Sequence, residues 1–393
     1  MEDGDEPPDH PKNESALIRI TNDIRIRILL RSKGEKAVCQ PATLDGHFTY
    51  RVRKNATNGY KEKSFLKYQR LEKPYILNND PRTLMRPETK YEKDGIEDAR
   101  LSKLEDEIYG ITYVAFNEDI ENGGTSICLA TTQDFKKIKR RGIIGPRIRF
   151  EEAIELFGGN NTYYGERLSR ELKEIRNEHG NINPFVMDKD PALLYDTESG
   201  EYIFFHRVDS SIQVAKAKDI SDFQKQNFWR KHFSKLHEKT ILCPGTNDSV
   251  EKWASEKVGM GGTPRLINEK LLCHVHGVEK TEGDNKVDYI YSGTFAEFNP
   301  TTYKLKSIIR DPLLRPREGY YFEEFSNGTK IRKYVNFPFD MLKDPDNPNI
   351  LWNYSGEHDF AIETRSTNLE ILLKGLSSPD NIIANWKGNR VLS

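Results

Sequence analysis

The sequence predicts an all-β protein, specifically a five-bladed β-propeller with a helical insertion and an N-terminal extension. Three observations lead there. From Ile18 onward, short runs rich in Ile, Val, Tyr, Phe and Thr recur between Asn, Asp, Gly and Pro turns, the signal of many short antiparallel strands. Three stretches resemble one another, TSICLATTQDF (125–135), SSIQVAKAKDI (210–220) and DFAIETRSTNL (359–369), each a strand running into an Asp- or Asn-containing turn. Each follows a more apolar strand, EIYGITYVAF (107–116), EYIFFHRV (201–208) and NILWNYSG (349–356), and the runs HFTYRVR (47–53) and KLLCHVHGV (270–278) resemble that apolar member. Five such inner strands, spaced by roughly 60 to 95 residues, fit radial repetition, in which each sheet covers its neighbour and leaves few edges. A sandwich would show similar strands. The propeller is favoured by polar groups at the strand ends, which would converge on one axial funnel: Arg51, Asn117, His206, Arg207 and His276, with Asp359 just beyond the last strand.

Taken in order, residues 1–15 (MEDGDEPPDHPKNES) are acidic, proline-rich and too poor in apolar groups to offset ordering entropy, which predicts a disordered tail before a single domain over 16–393. There is no basic end followed by an apolar run, as in a signal peptide, and no run of membrane-spanning length, so a soluble cytoplasmic protein with no membrane partner is expected. With 60 basic and 61 acidic residues, the chain carries no overall field to draw nucleic acid. Cys39, Cys128, Cys243 and Cys273 lie far apart, as suits reduced thiols rather than a disulfide framework or a zinc site. Phe150 to Phe157 and Gly165 to His179 have helical spacing and high charge, separated by Gly158-Gly159-Asn160-Asn161 as a turn. This predicts a helical insertion at about 150–182, between the second and third blades. A lid, a homo-oligomer contact and a solvated hairpin are the options, the last being the default for so charged a surface.

The chemistry centres on Gly95-Ile96-Glu97-Asp98-Ala99-Arg100. Adjacent residues on a strand face opposite sides, so Asp98 and Arg100 are expected to share a pocket while Glu97 turns to the blade packing. The bland alternative is an ion cluster on a solvated edge. Cations recur at other strand ends, in Arg140-Arg141, Lys189-Asp190, His206-Arg207 and His274-Val275-His276. Guanidinium and ammonium groups gathered in a funnel suit an anion, although any single one is more often an ion-pair partner. His274 and His276 share a strand face, yet two histidines without a third ligand are a weak metal signal, and no metal is expected. Gly259-Met260-Gly261-Gly262 reads as a blade turn rather than a phosphate cradle.

The stretches GIEDAR (95–100), KDPALLYDTESGEYIFFHR (189–207), VGMGGTPRLINEKLLCHVHGV (258–278), DYIYSGTFAEFNP (288–300) and NYSGEHDFAIETRS (353–366) resemble successive motifs of the β-mannoside phosphorylases of glycoside hydrolase family 130. They also resemble the related mannosyltransferase/phosphorylase enzymes that build β-1,2-mannan, from about Arg51 to about Leu373. The resemblance implies a five-bladed propeller with one essential aspartate, which falls on Asp98, acting as general acid through the mannose 3-hydroxyl. Inorganic phosphate would attack the anomeric carbon from the opposite face to give α-mannose 1-phosphate, as co-substrate and with no cofactor. It further implies Arg141, Lys189, Arg207 and His276 as phosphate ligands, and Arg51, Asp190 and Asp359 as mannose ligands. The residue types agree, because phosphorolysis needs one acid and a cationic pocket, whereas inverting hydrolysis needs a second carboxylate to activate water. The expected function is reversible phosphorolysis or synthesis of β-mannosides, chiefly β-1,2-linked. The alternatives are a β-mannosidase with Glu97, Glu323 or Glu357 as base, and a propeller that binds glycans without turning them over. Two departures stand out: Gln40-Pro41 where members often have Asn-Pro, and Ala99 where many have proline.

Overall fold

Runs of β-branched and aromatic residues between turn residues give a chain that is mostly strand, as the sequence predicts. The computed structural model describes residues 25–28, 35–54 and 63–383, apart from 79, 106, 120, 122, 160–161, 209, 245–252, 284–285, 317–320, 325–329 and 358–360. The expected tail at 1–15 lies outside the described residues.

After β1 (Arg25–Ile28), the strands fall into successive antiparallel groups. The first holds β2 (Glu35–Leu44), β3 (His47–Lys54) and β4 (Ser64–Lys73), with short β5 (Ile76–Leu77) and β6 (Arg82–Met85) on β4. The second holds β7 (Gly95–Lys103), β8 (Tyr109–Asn117), β9 (Gly124–Thr132) and β10 (Lys139–Ile143). The third holds β11 (Asp188–Asp196), β12 (Glu201–Val208), β13 (Ser211–Ala217) and β14 (Thr240–Leu242). The fourth holds β15 (Lys257–Met260), β16 (Arg265–Ile267), β17 (Lys270–Gly283), β18 (Lys286–Phe298) and β19 (Leu305–Ile308). The last holds β20 (Tyr321–Glu324), β21 (Lys330–Lys343), β22 (Ile350–Glu357) and β23 (Ala361–Asn368), and β1 pairs with the free edge of β23, Arg25 opposite Arg365. A parallel bridge, Ser64 to Gly95, links the first two groups, and a parallel ladder between β18 and β21 links the last two.

With short β20 set aside and β21 taken as the first strand of the last group, the first strands lie against one another, β2 on β7, β7 on β11, β11 on β15 and β21 on β2. The strands that the apolar pattern marked as innermost, β3, β8, β12, β17 and β22, instead lie one strand further out, each paired to one of these. A second strand is covered on both edges and both faces, so it reads as the most continuous apolar run, whereas the first strands carry polar side chains toward their shared centre. Arg265 on β16 spans this centre: its Nη2 donates to Thr43 O at 2.5 Å and Leu101 O at 3.4 Å, and pairs with Asp340 Oδ2 at 3.0 Å. Asp340 also accepts from the Thr43 N–H at 2.8 Å. One ion pair thus ties four of the groups together.

The charged segment after β10 forms α1 (Phe150–Leu156) and α2 (Tyr163–His179), and α3 (Gln226–Phe233), α4 (Leu236–Lys239) and α5 (Leu369–Leu376) follow later. The hydroxyl of Thr162 caps α2 by accepting from the Gly165 N–H. One face of the pair is apolar: Phe150, Ala153, Leu168 and Leu172 share a buried cluster with Phe204 of the third group and with Trp229 and Phe233 of α3. Phe157 stacks on Phe233 with ring centroids 5.0 Å apart. The two helices therefore cover a sheet as well as carrying charge outward.

Candidate active site

Three of the first strands break register at corresponding places. In β2 the ladder passes from Cys39–Arg51 to Ala42–Thr49, in β7 from Glu97–Val114 to Arg100–Thr112, and in β11 from Lys189–Arg207 to Ala192–Phe205. Each skip is a β-bulge, two residues opposite one, and bulges re-aim side chains. The first bulged residue is left-handed in every case: Gln40 at φ 55°, Asp98 at 50° and Asp190 at 54°. The second is proline or alanine, Pro41, Ala99 and Pro191. Proline has no N–H for a ladder to lose, which suits it to a bulge. Gln40, Asp98 and Asp190 are all buried, and the Asp98 N–H donates to Gln40 Oε1 at 2.8 Å across two groups.

The Asp98 carboxyl has no hydrogen-bond or ion-pair partner among the described residues. Burial pushes it up from its ordinary value, against the pull of Lys189 and Arg100 and with Glu97 and Asp190 adding to the rise. Arg100 is fully buried over the Phe339 ring, 4.6 Å from its centroid, and its Nε and Nη2 have no hydrogen-bond partner among the described residues. Burial lowers the Arg100 guanidinium, with Asp98, Asp190 and Asp340 opposing that shift. Lys189 is half-buried, and its charge acts on both Asp98 and Glu97.

Asp190 is the counterpart. Burial drives its carboxyl up, but Arg207, His276 and Arg100 outweigh burial and hold it at about 2. Arg207 Nε donates to Asp190 Oδ2 at 2.5 Å, and His276 Nε2 lies 3.5 Å from the same oxygen. Burial pushes the His276 imidazole down to about 3, with Asp190 opposing and Arg207 and Arg100 reinforcing it, so the ring is neutral at neutral pH. Room for the Asp190–His276 approach comes from Gly259 in β15, where a Cβ would stand 2.1 Å from Asp190 Oδ2 and 2.3 Å from His276 Cε1. Gly259 therefore lies in a strand and makes this contact, which corrects its reading as part of a turn; Gly261 and Gly262 do lie beyond the strand end.

Arg51, fully buried, donates from Nη1 to Glu97 Oε1 at 3.2 Å and from Nη2 to Cys39 Sγ at 2.6 Å. Arg53 adds a second cation to Glu97 at 3.1 Å. Burial raises the Glu97 carboxyl, yet Arg51, Arg53 and Lys189 together hold it below its ordinary value. The expectation that Glu97 stands apart on the packing side does not hold. The bulge at Asp98 resets the alternation, and both carboxylates belong to one charge cluster.

The structure thus gathers Arg51, Asp98, Lys189, Asp190, Arg207 and His276. It does not bring Arg141 to them. Arg141 sits in β10, three strands out from β7, a displacement of about 14 Å at ordinary strand spacing. There its Nε donates to Thr131 Oγ1 at 2.9 Å, and its carbonyl accepts from Gln224 at 2.6 Å. Asp359 lies outside the described residues, as do the side chains of Glu323 and Glu357. His274 Nε2 meets Asn353 Oδ1 at 3.0 Å, and no group of three or more His, Cys, Asp or Glu placed to hold a metal ion occurs among the described residues. Sequence reasoning placed Arg100 beside Asp98, but it noted Gln40 only as a departure from Asn-Pro and Gly259 only as part of a turn, so the contacts of these two went unread. The available signal was proline inside an otherwise apolar strand, at Pro41 and Pro191, which marks a bulge.

A buried acid held toward its protonated form, set among cations that keep two other carboxylates ionised, is a site equipped for acid-assisted group transfer. A family model described as beta-1,4-mannooligosaccharide phosphorylase, that of glycoside hydrolase family 130, matches residues 47–377. The chain belongs to this family. No curated protein sequence matches it. Among solved structures it resembles β-1,2-mannobiose phosphorylase from Listeria innocua in complex with β-1,2-mannobiose, at 16% identity and TM-score 0.55, over 93% of this chain and 98% of that one. It also resembles a glycosyl hydrolase from Bacteroides ovatus, at 14% identity and TM-score 0.54, over 92% and 93%. A third is a mannose phosphorylase from Leishmania mexicana in complex with phosphate ion, at 11% identity and TM-score 0.52, over 89% and 88%. At these identities the likeness is one of fold.

Proposed function

We propose that this protein is an inverting, phosphate-dependent mannosyl-transfer enzyme that breaks or builds β-mannosides, chiefly β-1,2-linked, with α-mannose 1-phosphate as product or donor. The observation that carries this reading is the split between two bulge aspartates: Asp98 raised by burial, its carboxyl without a partner among the described residues, and Asp190 held ionised by Arg207. Asp98 is the general acid. Lys189 and Arg100, with unsatisfied donors on Arg100, supply the charge that a phosphate nucleophile needs. Arg51 and Asp190 hold the sugar, and Arg207 with His276 sets Asp190. On this reading the five strand groups are blades of a propeller, their first strands lining the axial funnel into which the bulges aim. No helix among the described residues is long and apolar enough to cross a membrane. All four cysteines are buried outside any disulfide, which suits a reducing compartment such as the cytoplasm.

A second reading is hydrolysis of the same linkage, and one observation favours it: the bulge leaves Glu97 in the same cluster as Asp98, an ionised carboxylate able to activate water. Incubation with β-1,2-mannobiose in the presence and absence of phosphate separates the two. Phosphorolysis gives mannose 1-phosphate only when phosphate is present. Equal mannose release without phosphate, and no sugar phosphate, establishes the hydrolase instead.

A further inference from the structure

We propose that Gln40 is a positioning residue for Asp98, its side-chain oxygen holding the Asp98 N–H and so fixing the left-handed bulge that aims the acid. This rests on the reading of Asp98 as general acid.

At the bulge the β7–β8 ladder skips from Glu97–Val114 to Arg100–Thr112, so β8 has no residue in register with Asp98 or Ala99. Gln40 Oε1, at 2.8 Å and buried, receives the Asp98 N–H from the neighbouring group. A buried N–H without an acceptor is costly, and a left-handed aspartate persists only where its surroundings over-determine it. Gln40 is itself left-handed, on the corresponding bulge of β2, which points its side chain across to β7. Pro41 follows it, so that bulge has no second N–H competing for the amide oxygen. The position of β2 is in turn held by the Thr43 N–H on Asp340 at 2.8 Å. The amide therefore links two bulges on adjacent first strands, and the nitrogen that it holds is bonded to the Cα that carries the Asp98 side chain.

The test compares Gln40→Met, which keeps the length and removes the acceptor, with Gln40→Glu, which keeps an acceptor oxygen and adds charge. Two readouts are taken: steady-state kinetics on the mannoside across pH, and carbon-13 carboxyl titration of aspartate-labelled protein, with the Asp98 signal identified by its loss in Asp98→Asn. Gln40→Met is expected to lower kcat at least about tenfold with KM within about threefold, since a misplaced acid affects the transition state rather than substrate binding. Gln40→Glu is expected to keep more of kcat and to move the alkaline limb and the Asp98 titration to higher pH, because a neighbouring negative charge opposes ionisation. Wild-type kcat in Gln40→Met, with the Asp98 titration unmoved in both variants, overturns the proposal. If the wild type turns over no mannoside, the functional reading fails, and the titration alone decides. Shifted Asp98 curves then support the Gln40 contact, and coincident curves overturn it.

Discussion

Asp98 combines a conformation that L-residues seldom adopt with a carboxyl that burial pushes upward. A carboxyl raised above its ordinary 3.8 contributes stability only below that value, and this contribution is lost as pH rises through the folded-state value. At neutral pH the folded chain therefore carries a cost at Asp98, one that the proposed general acid would put to use. Asp98→Asn should lower turnover by about 10²–10⁴-fold, the usual worth of a general acid. It should also melt at higher temperature than the wild type near neutrality, with the difference closing toward pH 4. Calorimetry across that range, beside rate measurements, tests both halves, and near-normal turnover in the variant removes Asp98 from the role. Gly259 is the second residue with a sharp expectation. A methyl group there meets Asp190 Oδ2 at 2.1 Å, so Gly259→Ala must push apart the Asp190–His276 contact. Overpacking of this kind typically costs about 1–3 kcal/mol. A denaturant midpoint equal to that of the wild type argues that the strand simply gives way.

Among the elements, the strands were the most legible part of the sequence, because alternation and turn residues are local signals. The runs at 125–135 and 210–220 are strands β9 and β13, each the third of its group, and the helical spacing at 150–157 and 165–179 coincides with α1 and α2. What could not be read locally is which strand of a group faces the others. That depends on packing between groups, and the apolar pattern pointed one strand too far out. Arg141 was misplaced for the same reason: closeness along the chain to a motif says nothing of position across a sheet. Asp98 itself was found by assuming alternation, yet a bulge sits there, so Glu97 joined the cluster that alternation had excluded it from. The covering role of α2 was also hidden beneath its charge. Leu168 is fully buried against the third group, and Leu168→Ala should cost about 2–5 kcal/mol in chemical denaturation. A loss below half a kilocalorie would mean that the helix rests on the sheet without supporting it.

At the scale of the whole molecule, several groups make the fold sensitive to acid. Burial pushes His274 down to about 4 and His276 down to about 3, from an ordinary 6.5. The folded chain keeps these rings neutral while the unfolded chain protonates them, so the stability they lend is present above 6.5 and lost as pH falls. Asp190, held at about 2, adds a further loss as pH drops below 3.8. Melting temperature should therefore decline from about pH 6.5 downward rather than only near pH 4; a flat profile to pH 4.5 contradicts this. The Arg265–Asp340 pair joins four strand groups, and Arg265→Ala leaves Asp340 buried without its cation. A loss of about 3–5 kcal/mol is expected in urea unfolding. A value typical of surface substitutions would show that the groups hold together without it.

The pairing of β1 with β23 sets a schedule for biosynthesis. Arg25 lies opposite Arg365, so β1 is made long before the strand that it pairs with. At synthesis rates of ~5–20 residues per second, the roughly 340 residues between them impose a wait on the order of 20–70 s. Through that interval β1 has no partner strand, and the final sheet closes only after translation has passed β23. Newly made chains are thus most open to mispairing with one another once β23 is made, when two matching strand edges exist and have not yet met.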